Sequence, residues 1–273
     1  GQVLDGAVTD LEIGAFCLAM RIKGETPEEM AGFLDATALR MQHFPANAQQ
    51  PVVVIPSYNG ARKLPLLTPL LALLLAREGL PVLVHGTSTE ARAVYTSKVL
   101  ESLDIHAQAA TKEIAIGEIV FTPTALLCPG LLRLLEVRRV VNLRNPAHSL
   151  VKLMNPCAGK SLIVSSYTHP EYAISMAETF ALTHSNALLI RGTEGESVAD
   201  PRRTPKMQAF LNGQATDLQA YQAGSLTTLP DLPQAIDAAS TAAYIRSVMG
   251  GAQPVPAPIA QQVAHILHLV AAL

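Results

Sequence analysis

The sequence predicts an α/β protein, a small helical unit followed by a large α/β unit built on a mostly parallel sheet. Three observations carry this expectation. Val52-Val53-Val54-Ile55 is a run of four β-branched apolar residues; a strand with one wet face would alternate, so the run reads as a strand buried on both faces, as parallel strands are. Downstream of it, strand-like runs alternate with helix-like ones, the pattern of a parallel sheet with right-handed crossovers. Upstream stand two helical segments with their own start signals.

The composition is consistent with that plan. With 273 residues, 49% of them hydrophobic and 15% charged, the chain buries a large core, and one large domain with a smaller companion fits this length. The longest apolar runs, Pro69 to Ala76 and Leu126 to Leu135, are too short or too interrupted by Pro, Gly or Arg to cross a bilayer, so no membrane partner is expected. Cys17, Cys128 and Cys157 are widely spaced and odd in number, which suggests free thiols in a reducing compartment and hence a cytoplasmic protein. Neither these cysteines nor the eight scattered histidines approach metal-ligand spacing. The formal charge of −2 argues against a uniformly basic nucleic-acid binder and permits a local patch.

Taken in order, the chain opens without a charged-then-apolar leader on Gly1-Gln2-Val3-Leu4-Asp5-Gly6, as if entered partway through a helix, which points to residues upstream. Thr9-Asp10-Leu11-Glu12 is a capping box, and Leu11, Ala15, Leu18 and Ile22 then share one helical stripe that ends at Gly24. Thr26-Pro27-Glu28-Glu29 opens a second helix with inward residues Met30, Phe33, Leu34, Thr37 and Met41. Two short helices need other surfaces to dock on, in an α subdomain or a dimer contact. After the central strand, helices are predicted over 70–78, 94–103, 131–141 and 172–182, and strands over 81–84, 118–121, 162–165 and 187–190. The stretch 200–230 is rich in Pro, Gln, Thr and Gly, has no period, and is predicted to be irregular. Two helices, over 232–249 and 258–273, close the chain.

The segment after the central strand is the first candidate site. Pro56 cannot donate to a ladder, and Ser57, Asn59 and Gly60 form turns, so the chain leaves the sheet where open α/β sheets place ligands. Arg62 and Lys63 follow, ahead of a helix, which sets two cations and free backbone N–H groups together as anion-binding chemistry. The same pattern also describes a solvated turn with two surface cations, and the local sequence does not choose between them.

Several local sequences resemble one enzyme family. Asp5-Gly6, Leu11 through Phe16 and Arg21-Ile22-Lys23-Gly24-Glu25-Thr26-Pro27-Glu28-Glu29 resemble the N-terminal helical hairpin of anthranilate phosphoribosyltransferases. His85-Gly86 sits where that family has Lys-His-Gly-Asn, Val137 through Arg144 resembles its Val-Arg-Arg-Glu-Leu-Gly-Val-Arg, and Asn155-Pro156 lies at the matching distance beyond. The resemblance implies a helical dimerisation domain over 1–48, joined by about 131–158. It also implies an α/β domain over 49–273 with a phosphate-loop-like segment at 56–63, and substrates bound between the two.

Departures from the family pattern fall in its site. The family's Gly-Thr-Gly-Gly-Asp loop, which wraps the diphosphate of phosphoribosyl pyrophosphate, reads Pro56-Ser57-Tyr58-Asn59-Gly60 here. Val84 replaces the lysine before His-Gly, and Leu127 and Cys128 replace two histidines near the second substrate. Where the family carries an Asp-Glu pair for magnesium, Arg191-Gly192-Thr193-Glu194-Gly195-Glu196 runs into Ser197-Val198, leaving Glu194 and Glu196 as displaced acids. Loss of the pair removes most of the diphosphate's charge neutralisation.

A divergent branch of the family, the YbiB-like proteins, is more similar: its loop looks like Ile55 through Lys63, and it carries a segment resembling Arg144-Asn145-Pro146-Ala147-His148-Ser149. That resemblance implies a homodimer of the same fold that binds nucleic acid without sequence preference. Independently, Arg133, Arg138, Arg139, Arg144, Lys152 and Lys160 lie between 133 and 160 against the single acid Glu136. Such a stripe follows phosphates without reading bases. With six Phe, six Tyr and no Trp, base stacking is limited and backbone charge dominates.

The candidate nucleic-acid- or anion-binding residues are therefore Ser57, Asn59, Gly60, Arg62, Lys63, His85, Arg138, Arg139, Arg144 and Lys152, with no catalytic residue and no metal. Arg138 and Arg139 equally fit a solvated helix face, His85 a structural residue at a strand end, and His148 and His169 structural positions. The expected function is a catalytically degraded phosphoribosyltransferase-like homodimer that binds single- or double-stranded nucleic acid and needs no cofactor. The alternative is a working transferase using magnesium and phosphoribosyl pyrophosphate, with phosphate on Ser57, Asn59 and Gly60 and an aromatic or nitrogenous acceptor on Arg144.

Overall fold

The computed structural model describes residues 1–89, 92–225 and 229–273. Helices α1 (Asp10–Lys23) and α2 (Pro27–Ala38) both begin on closed capping boxes. The Glu12 N–H donates to Thr9 Oγ1 at 3.3 Å and the Thr9 N–H to the Glu12 carboxylate at 2.8 Å; Thr26 and Glu29 repeat this at 3.2 and 3.1 Å. The stripe that packs inward on α1 is Ile13, Cys17 and Met20. The predicted stripe faces out instead, with Leu11 84%, Leu18 46% and Ile22 78% exposed. Helix α1 is thus apolar on two sides, and periodicity alone does not say which side the core takes.

The chain continues through β1 (Val52–Ser57), α3 (Thr68–Arg77), β2 (Val82–Gly86), α4 (Thr96–Glu101), β3 (Ile119–Pro123), α5 (Thr124–Leu127), α6 (Pro129–Val141) and α7 (Ala147–Leu150). It then forms β4 (Ser161–Tyr167), α8 (Pro170–Leu182), β5 (Ala187–Arg191), β6 (Met207–Leu211), β7 (Gln214–Gln219), α9 (Ala238–Met249) and α10 (Ala257–Ala271). One sheet runs in the order β3-β2-β1-β4-β5-β6-β7. Its first five strands pair in parallel, and β6 and β7 add antiparallel edges.

Strand β1 is buried throughout, and its side chains divide between two cores. Val53 and Ile55 pack with residues of α3, α9 and α10, whereas Val52 and Val54 pack with Ile13 and Cys17 of α1, Met30 of α2, Leu131 of α6 and Phe180 of α8. Each fully buried valine or isoleucine contributes about 1.5–3 kcal/mol of transfer free energy, which is why a continuous β-branched run specifies this central place. Helix α1 lies against α6 and α2 against α7 and α8. The chain crosses beside Phe44, whose N–H donates to the Pro156 carbonyl at 2.8 Å while its own carbonyl accepts from Ala158 at 3.0 Å.

The expectation of an irregular 200–230 is corrected. Residues 207–219 form the hairpin β6-β7 around Asn212 and Gly213, with φ of 48° and 77°. Two successive positive-φ residues between strands give the turn whose twist matches a hairpin, and Asn-Gly is its strongest sequence signal. Just before the hairpin, Asp200 ties down Arg202 and Arg203, accepting from Arg202 Nη2 at 2.9 Å and from Arg203 Nε at 3.0 Å. Among the described residues no helix is long and apolar enough to cross a membrane.

Candidate functional site

The sheet grows from β1 through β2 to β3 and then returns to the other side of β1 with β4, so the C-terminal ends of β1 and β4 form a topological switch point. Open α/β sheets place their ligands in the crevice there. The loop after β1 turns at Gly60, where φ is +65° and a Cβ would stand 2.8 Å from the Val94 carbonyl oxygen, so only glycine fits. Facing this loop is the turn after β5. Gly195, at φ +88°, brings that turn so close that a Cβ would lie 2.2 Å from Asn59 Nδ2.

The donors of the loop are already engaged by two carboxylates of the facing turn. Glu196, 1% exposed, accepts the backbone N–H of Asn59 at 2.7 Å and of Gly60 at 2.8 Å on one oxygen. Its other oxygen accepts the Ser57 hydroxyl and, at 3.2 Å, the Thr68 hydroxyl at the start of α3. An ionised carboxylate only accepts, so Ser57 donates to Glu196 and receives from Thr96, whose hydroxyl lies 2.7 Å away. The Ala61 N–H donates to the Val94 carbonyl at 2.9 Å, and Glu194 takes the three N–H groups beyond it, of Arg62 at 3.1 Å, Lys63 at 2.9 Å and Leu64 at 3.0 Å. The N–H groups that the sequence reading leaves free for an external anion are therefore occupied from within.

The surrounding contacts fix the turn in this place. Ser166 Oγ and Lys152 Nζ both donate to the Gly195 carbonyl at 2.7 Å, and Lys152 also reaches the Ser166 carbonyl at 3.2 Å. Burial lowers the Lys152 pKa from 10.5 to about 8, against the pull of the nearby Glu196 and with a smaller push from Arg144. On the far side, Gln262 of α10 donates to the Ser197 carbonyl at 3.0 Å and accepts from the Ala199 N–H at 2.8 Å. Charged or buried groups hold both flanks of the acidic turn.

His85 is fully buried, which corrects its place among residues that meet an external anion. Its Nδ1 lies 2.9 Å from the Tyr58 hydroxyl, which itself accepts from Thr124 at 3.0 Å, and its buried Nε2 has no hydrogen-bond partner among the described residues. Burial pushes the His85 pKa down to about 3 and the Tyr58 pKa up, so both stay neutral. Lys152 is likewise drawn inward, its ammonium spent on two carbonyls.

The remaining candidate cations stand around the crevice. Arg62 and Lys63 are exposed above the loop, and Arg139 donates to the Ser88 carbonyl at 3.2 Å, next to Thr89, whose hydroxyl donates to the Tyr58 carbonyl at 2.9 Å. Arg138 is half-buried on α6. Arg144 lines a cleft of about 360 Å³ between α1, α2 and the ends of β4 and α8, together with Arg21, Glu25, His148, Glu171 and Tyr172.

The residues present do not fit a magnesium ion. Ser197 and Val198 stand where the family pair would be; Ser197 donates its hydroxyl to the Pro56 carbonyl at 2.9 Å, and Val198 is buried in the core. Glu194 and Glu196 have turned their oxygens to N–H and O–H donors. Among the described residues no group of three His, Cys, Asp or Glu is arranged to hold a metal. Sequence reasoning weighed these two acids only as displaced magnesium ligands. The available signal was their position, two carboxylates around a glycine at the end of a strand, beside the crevice where anions bind.

Comparison with known proteins places this geometry. Residues 1–41 match the glycosyl transferase family helical bundle domain. The uncharacterized protein YbiB of Escherichia coli (strain K12) is 40% identical over 96% of this chain and 83% of its own length. The anthranilate phosphoribosyltransferase of Sinorhizobium medicae (strain WSM419) is 27% identical over 92% of this chain and 76% of its own. Crystallised anthranilate phosphoribosyltransferase from Thermus thermophilus superposes with a TM-score of 0.71 at 20% identity, covering 96% of this chain and 79% of that one. The Saccharomyces cerevisiae enzyme in complex with phosphoribosyl pyrophosphate and magnesium gives 0.68 at 14% identity over 99% and 81%. These structures share the helical unit and the mostly parallel sheet, and the chain belongs to the anthranilate phosphoribosyltransferase-like glycosyl transferase family.

Proposed function

We propose that this protein is a phosphoribosyltransferase-like homodimer that no longer transfers phosphoribosyl groups and instead binds nucleic acid without sequence specificity. The observation that carries the first half is Glu196, which holds the Ser57, Asn59, Gly60 and Thr68 donors of the loop that matches the family's diphosphate site. A diphosphate entering there meets a buried carboxylate instead of a magnesium ion, and like charges at such distances repel strongly in a low dielectric. Support for the second half comes from the exposed Arg62, Lys63 and Arg139 around the crevice and from Arg144 in the adjoining cleft. Such cations on an otherwise acidic protein suit a phosphate backbone. The exposed apolar stripe of Leu11, Leu18 and Ile22 supports pairing through the N-terminal helices. Three free, buried cysteines fit a reducing cytoplasm.

The test sets two titrations side by side, labelled single-stranded DNA in one and phosphoribosyl pyrophosphate with Mg²⁺ by calorimetry in the other. DNA binding with no heat from the sugar diphosphate is the expected outcome. A working transferase is the alternative, favoured by Arg144 in the cleft, where it suits the carboxylate of an aromatic acid. Heat from phosphoribosyl pyrophosphate, and turnover with anthranilate near the ordinary enzyme median of about 10 s⁻¹, would establish that reading instead.

A further inference from the structure

We infer that Glu196 is an internal substitute for a phosphate group, and that the loop beneath it retains a complete oxyanion seat which opens only when this carboxylate is removed. The seat is built. Two backbone N–H groups, Asn59 at 2.7 Å and Gly60 at 2.8 Å, converge with the hydroxyls of Ser57 and Thr68 on one carboxylate that is 1% exposed. Convergent N–H groups and hydroxyls on a crevice beyond a parallel strand are the donor set a tetrahedral phosphate uses, and nothing in that set requires the occupant to be a side chain. All four donors belong to residues other than those of the acidic turn, so shortening Glu196 leaves them in place.

Three features make the occupant part of the chain's design. Gly195 lets the turn descend to where a Cβ would overlap Asn59, and Gln262 and Ser166 hold the backbone on either side of Glu196. Glu194 accepts the N–H groups of Arg62, Lys63 and Leu64 in the same way, and the Val94 carbonyl that of Ala61, so the loop from 57 to 64 is held in an anion-bound shape with no ligand. That fixed shape keeps Arg62 and Lys63 turned to solvent. In an open phosphate loop the same residues would reorganise whenever a ligand came or went. The inference rests on the same crevice as the proposed function and concerns its regulation: a tethered anion that holds all four donors competes with free phosphates for the seat.

The experiment compares the parent with Glu196→Ala and Glu196→Gln by thermal unfolding in chloride, inorganic phosphate and pyrophosphate at constant ionic strength. Glutamine still fills the seat, its amide oxygen accepting from Asn59 and Gly60, so neither the parent nor E196Q responds to phosphate. E196A unfolds at lower temperature in chloride and is restored by pyrophosphate. At ten times its Kd the ligand raises the folded-to-unfolded ratio about 11-fold. If E196A does not fold in chloride, refolding it in phosphate is the readout, and recovery there alone supports the seat. A variant that phosphate and pyrophosphate fail to stabilise or recover overturns the inference, as does a parent that binds pyrophosphate as tightly as E196A. Parent DNA affinity, measured alongside, is unaffected by either failure and so keeps this inference separate from the proposed function.

Discussion

Replacing Arg62 and Lys63 together with alanine tests the proposed nucleic-acid surface most directly, and the structure fixes what the change leaves intact. Both side chains are exposed, and it is their backbone N–H groups, at 3.1 and 2.9 Å, that hold Glu194. Alanine keeps those N–H groups, whereas glutamate would set new carboxylates beside Glu194 and disturb the loop for reasons unrelated to DNA. Lys152 leaves the set of available cations because its ammonium is bound to the carbonyls of Ser166 and Gly195. If about four phosphates are neutralised per chain, log K for single strands falls with log salt at a slope of about −3, and losing two contacts brings it to about −1.4. From about 50 to about 200 mM salt, affinity then drops about 50-fold for the parent and about 7-fold for the variant. Fluorescence anisotropy with two labelled oligonucleotides of unrelated sequence, at four salt concentrations, reads both numbers. The two sequences behave alike, because cations on phosphate carry no base information. Folding stability stays within about 0.5 kcal/mol of the parent. An unchanged slope and affinity would remove this loop from the interface and return its anion chemistry to a phosphorylated small molecule.

Three further outcomes follow from the site and the helices. Lys152, with its pKa lowered from 10.5 to about 8 by burial, binds fewer protons folded than unfolded between those values, so this group alone makes stability rise with pH there. The buried Cys157 thiol, pushed up from 9.0 to about 12, works in the opposite direction. Stability against pH is therefore compared between the parent and Lys152→Met, and a flat difference between about pH 8 and 10.5 would refute the buried ammonium. Gly195→Ala forces a side chain onto a φ of +88° and against Asn59, which costs about 2 kcal/mol and lowers the melting temperature by about 3.5 °C. Leu18→Glu with Ile22→Glu, on the exposed stripe of α1, yields a monomer in sedimentation at micromolar concentration, where the parent sediments as a dimer. A monomeric parent counts against the pairing.

How much of this was legible in the sequence depends on how far apart the interacting residues stand. The capping boxes at Thr9 and Thr26 close within three residues, and both formed as read. The β-branched run of β1 announced burial on two faces because it lacks alternation, and it lies between β2 and β4 at the centre of the parallel strands. Errors arose where a local signal was outweighed by its surroundings. Asn212-Gly213 is a strong hairpin signal, but in a stretch crowded with Gln, Thr and Pro the composition suggested an irregular loop.

The crevice itself was beyond any local reading. Glu196 is 137 residues from Asn59, and no window of sequence contains both. A charge count treats Glu194 and Glu196 only as two of the 22 acids that leave the chain slightly negative. In the fold, Glu196 lies at 1% exposure, its charge balanced by N–H and O–H dipoles and by the buried Lys152. Glu194 meets Arg62 and Lys63 through their backbone N–H groups, so it fixes where these two residues stand while their side chains remain exposed. Depending on where its oxygens point, one glutamate in this turn either cancels a phosphate-binding surface or holds it in shape.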